Sequence, residues 1–122
     1  MMHAPFGLST HLFHDQRLCR EHLEAIAAHG FTGIELFATR THFDYHDPAA
    51  IDALAGWLEA TGLRLDSVHA PIAEGLAGTV WGPPLSIASG DAAARTRAVD
   101  ETLAALALAR TVPYRHLVEH LG

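Results

Sequence analysis

Apolar and polar positions along the chain follow two alternating patterns. Short apolar runs typical of strands are separated by longer segments in which apolar residues recur every three or four positions, as in amphipathic helices. The runs that predict strands are residues 6–13, 32–38, 63–69 and 115–122. The order β-α-β-α-β-α-β predicts an α/β fold of parallel strands with right-handed crossovers, in one domain of residues 1–122.

The first two predicted helices carry clear start and stop signals. Asp15 is a candidate cap for the first helix, and Gly30 is placed where a left-handed residue would end it. Asp47 followed by Pro48 predicts the start of the second helix, because aspartate caps and proline fits the first helical position. Gly62 predicts its end.

The third helix is predicted to begin at Asp91 and to stop before Pro113. Its core-facing side is predicted to consist of Val99, Leu103, Leu106 and Arg110. The segment 72–90 before it, rich in Gly, Pro, Ala and Ser, reads as the longest irregular stretch. A loop of this length in a compact domain is usually functional or mobile.

The strand at 63–69 carries the first candidate site residue. Because side chains alternate along a strand, Leu65, Ser67 and His69 are expected on one face, with Asp66 and Val68 on the other. Ligands of parallel α/β folds bind outside the carboxyl ends of the strands, where His69 lies.

A second imidazole is expected at the same end of the sheet. His120 lies near the end of the fourth predicted strand, as His69 does on the third. Both rings are predicted to turn to the same concave face. Neutral imidazole is a good ligand for zinc and similar metals, so the two histidines are candidate metal ligands, and substrate contact is the alternative role.

Other candidates lie at the same edge. Glu35 is a buried-looking acid in the second strand, and it reads either as a substrate-orienting group or as a core acid bonded to its neighbours. His11 and Trp81 are candidate substrate-binding residues of a pocket, and packing within its own loop is the alternative for Trp81. His42, Asp44 and His46 are interpreted as part of a solvated loop.

Composition narrows the possible partners and compartments. The formal net charge is −6 without a block of Lys or Arg, which argues against a nucleic-acid partner. A single cysteine, Cys19, favours a reducing, cytoplasmic setting. The sequence carries neither a signal-peptide pattern nor an apolar run long enough to span a membrane.

With these residues in hand, the chain resembles the sugar phosphate isomerase/epimerase superfamily, the xylose isomerase-like TIM barrels, which are related to zinc-dependent apurinic endonucleases. The matching segments are Gly7-Leu8-Ser9-Thr10, Gly33-Ile34-Glu35-Leu36, Ser67-Val68-His69-Ala70-Pro71, Leu85-Ser86-Ile87-Ala88-Ser89-Gly90-Asp91 with Arg95 and Arg97 after it, and Leu117-Val118-Glu119-His120-Leu121-Gly122. One residue departs from the family, whose members tend to carry an apolar residue at the position of Glu119.

The resemblance implies the N-terminal half of a (β/α)8 barrel, with four parallel strands and three helices, apparently truncated after strand four. It also implies a divalent metal, Zn, Mn or Mg, in the full-length enzyme, with weak or absent binding in this fragment. The endonuclease branch uses the histidines of the motifs containing His69 and His120 as zinc ligands. In the isomerase branch, later strands hold most of the metal ligands.

The resulting hypothesis is half of a metal-dependent sugar or sugar-phosphate isomerase or epimerase, inactive as this fragment. Its expected partners are a small sugar and either a second copy or the missing C-terminal half, without nucleic acid or membrane. Two alternatives stay open. One is an apurinic endonuclease-type hydrolase, and the other is a non-catalytic half-barrel that assembles with a partner.

Overall fold

Four short strands lie side by side in a parallel sheet in the computed structural model, which describes residues 5–121. The sheet order is β1-β2-β3-β6, and a small antiparallel hairpin pairs β4 with β5. In chain order the strands are β1 (Gly7–Ser9), β2 (Gly33–Phe37), β3 (Arg64–His69), β4 (Leu76–Ala77), β5 (Val80–Trp81) and β6 (His116–Val118). The helices are α1 (Arg20–Ala28), α2 (Pro48–Thr61) and α3 (Ala92–Ala107), with 3-10 turns at Thr10–Phe13 and Leu108–Arg110. The predicted α/β class, with four parallel strands and three helices, is confirmed.

All three helices contribute to one apolar core against one face of the sheet. The strands supply Ile34, Leu36 and Val68, and the helices supply Leu23, Ile26, Leu54, Leu58 and Ala105. Glu35 alternates with Ile34 and Leu36 and therefore lies on the opposite face. We call this opposite face, which carries Ser9, Glu35 and Ser67 in register, the inner face.

The predicted caps of α2 and α3 are confirmed. Asp47 accepts a hydrogen bond from the Ala49 N–H at 3.0 Å, and Pro48 opens the helix. Gly62 closes α2 with a φ of 74°, which only glycine adopts at little cost. Asp91 caps α3 by accepting from the Ala94 N–H at 2.8 Å.

The start of α1 differs from the prediction. Residues 10–13 form a 3-10 turn instead of a continuation of the first strand, and α1 begins only at Arg20. Cys19 is its N-cap, and the Cys19 N–H donates to His22 Nδ1 at 3.1 Å. Asp15 is therefore not the cap. Gly30, with a φ of 89°, follows the end of the helix as expected.

A β-bulge changes the predicted faces of β3. The register passes from Ile34–Leu65 to Glu35–Ser67, so Asp66 is the extra residue. Leu65 therefore packs in the core, and its predicted place on the face of Ser67 and His69 is wrong. Asp66 instead lies over Gly33, on the inner face.

The predicted face of α3 is also wrong. Val99, Leu103 and Leu106 are 41%, 56% and 42% exposed, whereas Ala98 and Ala105 are buried. Polar contacts fix this rotation of the helix: Glu101 accepts hydrogen bonds from Tyr45 and His46, and the Thr102 hydroxyl donates to Glu119 at 3.1 Å. The departure at Glu119 is thus accommodated by pairing with α3.

The segment 72–90 is more ordered than its composition predicts. The strands β4 and β5 form a hairpin. Backbone hydrogen bonds between its two arms continue beyond these strands: the Glu74 N–H donates to Pro83 O and the Leu85 N–H donates to Ile72 O, both at 2.9 Å. The fourth sheet strand, predicted at 115–122, spans only His116–Val118, and Gly122 lies outside the described residues. Among the described residues, no helix is long and apolar enough to span a bilayer.

Candidate functional site

The two candidate metal ligands meet at the carboxyl end of the sheet. Their Nε2 atoms lie 2.9 Å apart. The backbone brings them together because β3 and β6 are parallel neighbours, and the Ala70 N–H bonds to Val118 O at 2.9 Å just beyond His69. His69 is half-buried and His120 is exposed, so a ligand can approach the pair from solvent.

A backbone carbonyl fixes the tautomer of His69. Its Nδ1 donates to Ala70 O at 2.9 Å, so the proton of the neutral ring resides on Nδ1 and the Nε2 lone pair faces His120. His120 then donates its Nε2–H to that lone pair. Metal-binding histidines commonly donate their other N–H to a carbonyl in this way.

Beside the histidine pair lies a set of rings that we call the aromatic wall: His11, His14, Phe37 and Trp81. His11 stacks on His14 with ring centres 4.7 Å apart and meets Phe37 edge-on at 4.6 Å. His14 stacks on Trp81 at 6.0 Å, and Trp81 also meets Phe37 edge-on at 6.4 Å. The wall reaches the metal candidates through Phe37, whose ring lies 5.6 Å from His69.

The loops place these rings. His11 lies in the 3-10 turn after β1, and Trp81 lies on β5 of the hairpin and remains 40% exposed. His11 is exposed too, yet partial desolvation of its ring lowers its pKa, and the imidazoles of His14 and His69 lower it further. Because Phe37 is only 2% exposed, Trp81 is the apolar ring that the wall presents to solvent, beside the exposed imidazole of His11.

Glu35 lies on the inner face below the rings and bonds to a neighbouring strand. Ser67 Oγ donates to its Oε2 at 2.8 Å. Glu35 is two residues before Phe37 on β2, which places it about 7 Å deeper along the strand. It does not hydrogen-bond a histidine; with Ser9, Asp66 and Ser67 it lines a pocket of about 210 Å³.

His42, which the sequence placed in a solvated loop, is fully buried, so that interpretation is wrong. Its ring nitrogens lie 2.6 Å from Gln16 O and 3.0 Å from Thr10 Oγ1. Burial lowers its pKa, and the bond to Gln16 works in the opposite direction. The neighbouring Phe43 and Tyr45 are buried as well. These two aromatic residues, two positions apart, are the signal in the sequence that this segment packs into the core.

The other two loop residues belong to a structural network. Asp44 pairs with Arg40 at 3.0 Å, and His46 donates to Glu101 of α3 at 2.8 Å. The buried Tyr45 hydroxyl also donates to Glu101. These contacts fasten the loop to α3.

Within residues 5–121, no group of three or more His, Cys, Asp or Glu side chains is arranged to hold a metal ion. The described residues bring two imidazoles together at this edge, whereas zinc sites use three or four protein ligands. Beside these imidazoles, the edge presents the exposed ring of Trp81. The Glu35 carboxylate on the inner face can accept hydrogen bonds.

Comparison with known proteins agrees with this architecture. No curated protein matches the chain. A family model for the xylose isomerase-like TIM barrel matches residues 23–122, which is most of the chain and includes β2, β3 and β6. The four parallel strands and three helices fit half of such a barrel. The chain therefore belongs to the family of xylose isomerase-like TIM barrels.

Proposed function

We propose that this chain supplies half of the active site of a metal-dependent sugar or sugar-phosphate isomerase or epimerase. The observation that carries the proposal is the convergence of His69 Nε2 and His120 Nε2 at 2.9 Å, at the carboxyl end of the strands. Active sites of TIM barrels lie at this end. Family membership supports a sugar isomerase or epimerase type of protein.

We propose a divalent metal, Zn, Mn or Mg, for the complete site; of these, zinc suits two imidazoles best, because Mn and Mg prefer oxygen ligands. His69 and His120 would hold such an ion through their Nε2 atoms. His69 is already in the tautomer that binds through Nε2. When bound, the metal would polarise adjacent oxygens of a hydroxy-carbonyl sugar.

The aromatic wall and Glu35 would bind the sugar. Trp81, which is 40% exposed, presents a ring face for the apolar C–H surface of the sugar, and His11 presents a ring nitrogen to a hydroxyl. Glu35, held by Ser67, accepts a hydrogen bond from a hydroxyl that reaches the inner face. These groups orient the substrate.

The proton transfers would need groups from a second set of strands. A complete barrel has eight strands, and the described chain forms four parallel ones. We therefore propose that either a complementary C-terminal half or a second copy is the partner, and that the 122-residue chain alone is inactive. We propose neither nucleic acid nor a membrane as a partner, and we propose a cytoplasmic location because Cys19 is free.

Hydrolysis of DNA is the weaker alternative. Zinc endonucleases would also use imidazole ligands, but DNA has to be held by its phosphates. The chain has 8 Lys and Arg against 14 Asp and Glu, so it lacks an excess of cationic groups for that purpose. A non-catalytic half-barrel remains the other alternative, and it would bind the partner without binding metal.

Calorimetric titration of the untagged chain with Zn²⁺ or Mn²⁺ tests the proposal. We expect binding with a micromolar or weaker Kd, because two ligands leave a tetrahedral site half filled. His69→Ala and His120→Ala should each abolish it, and His29→Gln, a change at the exposed end of α1, should leave it intact. Binding that survives both substitutions would contradict the proposal. Submicromolar binding that requires His69 would show a more complete site than proposed.

A further inference from the structure

His42 lies in the loop after β2 with both ring nitrogens hydrogen-bonded. The Gln16 carbonyl oxygen, 2.6 Å from Nδ1, only accepts, so Nδ1 carries the proton. Nε2 then accepts from the Thr10 hydroxyl at 3.0 Å. The same hydroxyl oxygen accepts from the Phe37 N–H at 2.9 Å. When the His42 ring is neutral, each donor in this series of hydrogen bonds therefore faces an acceptor.

The backbone of His42 adds one hydrogen bond within the loop after β2 and one to the segment after β1. Its N–H donates to Thr39 O, and its C=O accepts from the Leu18 N–H, both at 2.8 Å. Four hydrogen bonds thus meet at one buried residue, and three of them cross from the loop after β2 to the segment after β1. His42 is therefore the residue at which these three bonds tie the two loops together.

Thr10 is the point at which this network reaches the candidate site. It is fully buried and is the first residue of the 3-10 turn Thr10–Phe13. The next residue is His11, and His14 follows the turn, so both imidazoles of the aromatic wall belong to the segment that Thr10 anchors. The turn lies beyond the last paired residue of β1, Ser9, so sheet pairing does not hold it.

We propose that His42 is a positioning residue of the candidate site, acting through Thr10 to place the imidazoles of the aromatic wall against Phe37 and Trp81. Neither His42 nor Thr10 is exposed, so neither contacts a ligand. That the aromatic wall binds a sugar rests on the proposed function. The positioning itself can be measured without any ligand, so it can fail or succeed independently.

The experiment compares four single variants of the full chain by NMR and urea unfolding. His42→Phe and Thr10→Val keep the buried volume and remove the bonds, whereas Thr10→Ser retains the hydroxyl. Tyr114→Phe is the control, because it removes a hydrogen bond to Ala105 O on the α3 side, away from the wall. The readout is the set of ring-to-ring nuclear Overhauser contacts within the aromatic wall, with contacts among core methyl groups as an internal reference.

We expect His42→Phe and Thr10→Val to weaken the wall contacts while the core contacts persist, and Thr10→Ser and Tyr114→Phe to keep both. A double-mutant cycle on the pair should show a coupling of about fivefold in the unfolding equilibrium constant. Wall contacts that persist in the destabilised His42→Phe and Thr10→Val chains would overturn the proposal. So would failure of both variants to fold, because the pair would then serve stability alone.

Discussion

The carboxylate of Asp66 occupies the space in which a side chain at Gly33 would lie. A β-carbon built on Gly33 would be 2.0 Å from Asp66 Oδ2 and 2.8 Å from its Cγ. The bulge in β3 is what turns Asp66 onto this position, beside Glu35 and Ser67 in the inner-face pocket. Glycine at residue 33 is thus favoured by a close approach and not by a left-handed backbone.

Gly33→Ala should therefore destabilise the chain by about 1 kcal/mol, because Asp66 has to move and the nearby Arg64 carbonyl oxygen is also close. Urea unfolding measures the change. Gly56→Ala is the matched control, since nothing lies within 4 Å of its added carbon, and it should stabilise α2 by about 0.5–1 kcal/mol. Adding Asp66→Ala should relieve much of the loss at Gly33. Equal stability of Gly33→Ala and wild type would show that Asp66 moves without consequence.

At the bulge in β3, the alternation of side chains along the strand no longer predicts which face of the sheet each residue occupies. Strand periodicity placed His69 and Ser67 on one face and brought His69 to a strand tip beside His120, as the structure has it. One extra residue at Asp66 reverses the faces of the positions before it, so Leu65 enters the core. Local sequence does not specify such a register shift, because it depends on the pairing with β2.

The α3 face and His42 were mispredicted for a different reason. In α3 the bulky apolar residues are exposed and two alanines are buried, because tertiary bonds through Glu101 and Thr102 set the rotation of the helix. His42 reads as a polar loop residue, and only its partners Gln16 and Thr10, 26 and 32 positions away, make its burial tolerable. Helix caps are local signals, which explains why the predictions at Asp47, Gly62 and Asp91 are confirmed. The prediction at Asp15 is wrong because the chain forms a 3-10 turn at Thr10–Phe13 and α1 begins only at Arg20.

Burial of His42 predicts a loss of stability in mild acid. The pKa of this ring, and that of His11, is lowered in the folded chain below the usual value of 6.5. The unfolded chain therefore binds more protons below that pH, and the free energy of unfolding should fall as pH falls through about 6.5, by up to about 1.4 kcal/mol per pH unit for each proton.

Urea unfolding at several pH values between 5 and 8 tests this. His42→Phe should flatten the dependence, whereas His29→Gln, at the exposed end of α1, should leave it unchanged. The carboxyls of Asp44 and Glu101 have lowered pKa values as well, and they lose their contribution only below about pH 4.5, outside this window. A flat profile from pH 8 to 5 in the wild-type chain would contradict the assignment of His42.

Sugar binding should be visible in the fluorescence of Trp81. The chain has 2 tryptophans, so Trp57→Phe leaves Trp81 as the sole reporter beside the aromatic wall. Pentoses, hexoses and their phosphates should perturb its emission weakly, with a Kd of about 1 mM or above for a half site. Glu35→Gln should weaken the binding about tenfold by removing a charged acceptor.

Asp100→Asn on α3 is the control for this titration, because it removes one negative charge away from the wall. It should leave the sugar response unchanged. If no sugar of the panel alters Trp81 emission, or if Glu35→Gln responds as wild type does, the assignment of the wall and Glu35 to a sugar site is wrong.

Self-association is expected because the sheet has two open edges. In the described chain β1 pairs only with β2, and β6 only with β3, so each leaves one edge free. Open edges favour pairing with other strands. The inner face adds apolar surface at Val118, which is 39% exposed, although Leu65, also expected there, is in the core.

Light scattering on purified material at tens of micromolar should therefore find a dimer or a larger species, because burying this surface is favourable and a two-fold dimer is the commonest closed solution. Val118→Lys places a charge on the β6 edge strand and should shift the chain towards monomer. Val80→Lys changes an equally apolar residue, 69% exposed on β5, and should not. A stable monomeric wild-type chain that melts cooperatively would mean that the four-stranded sheet is self-sufficient, and that its open edges do not require a second half.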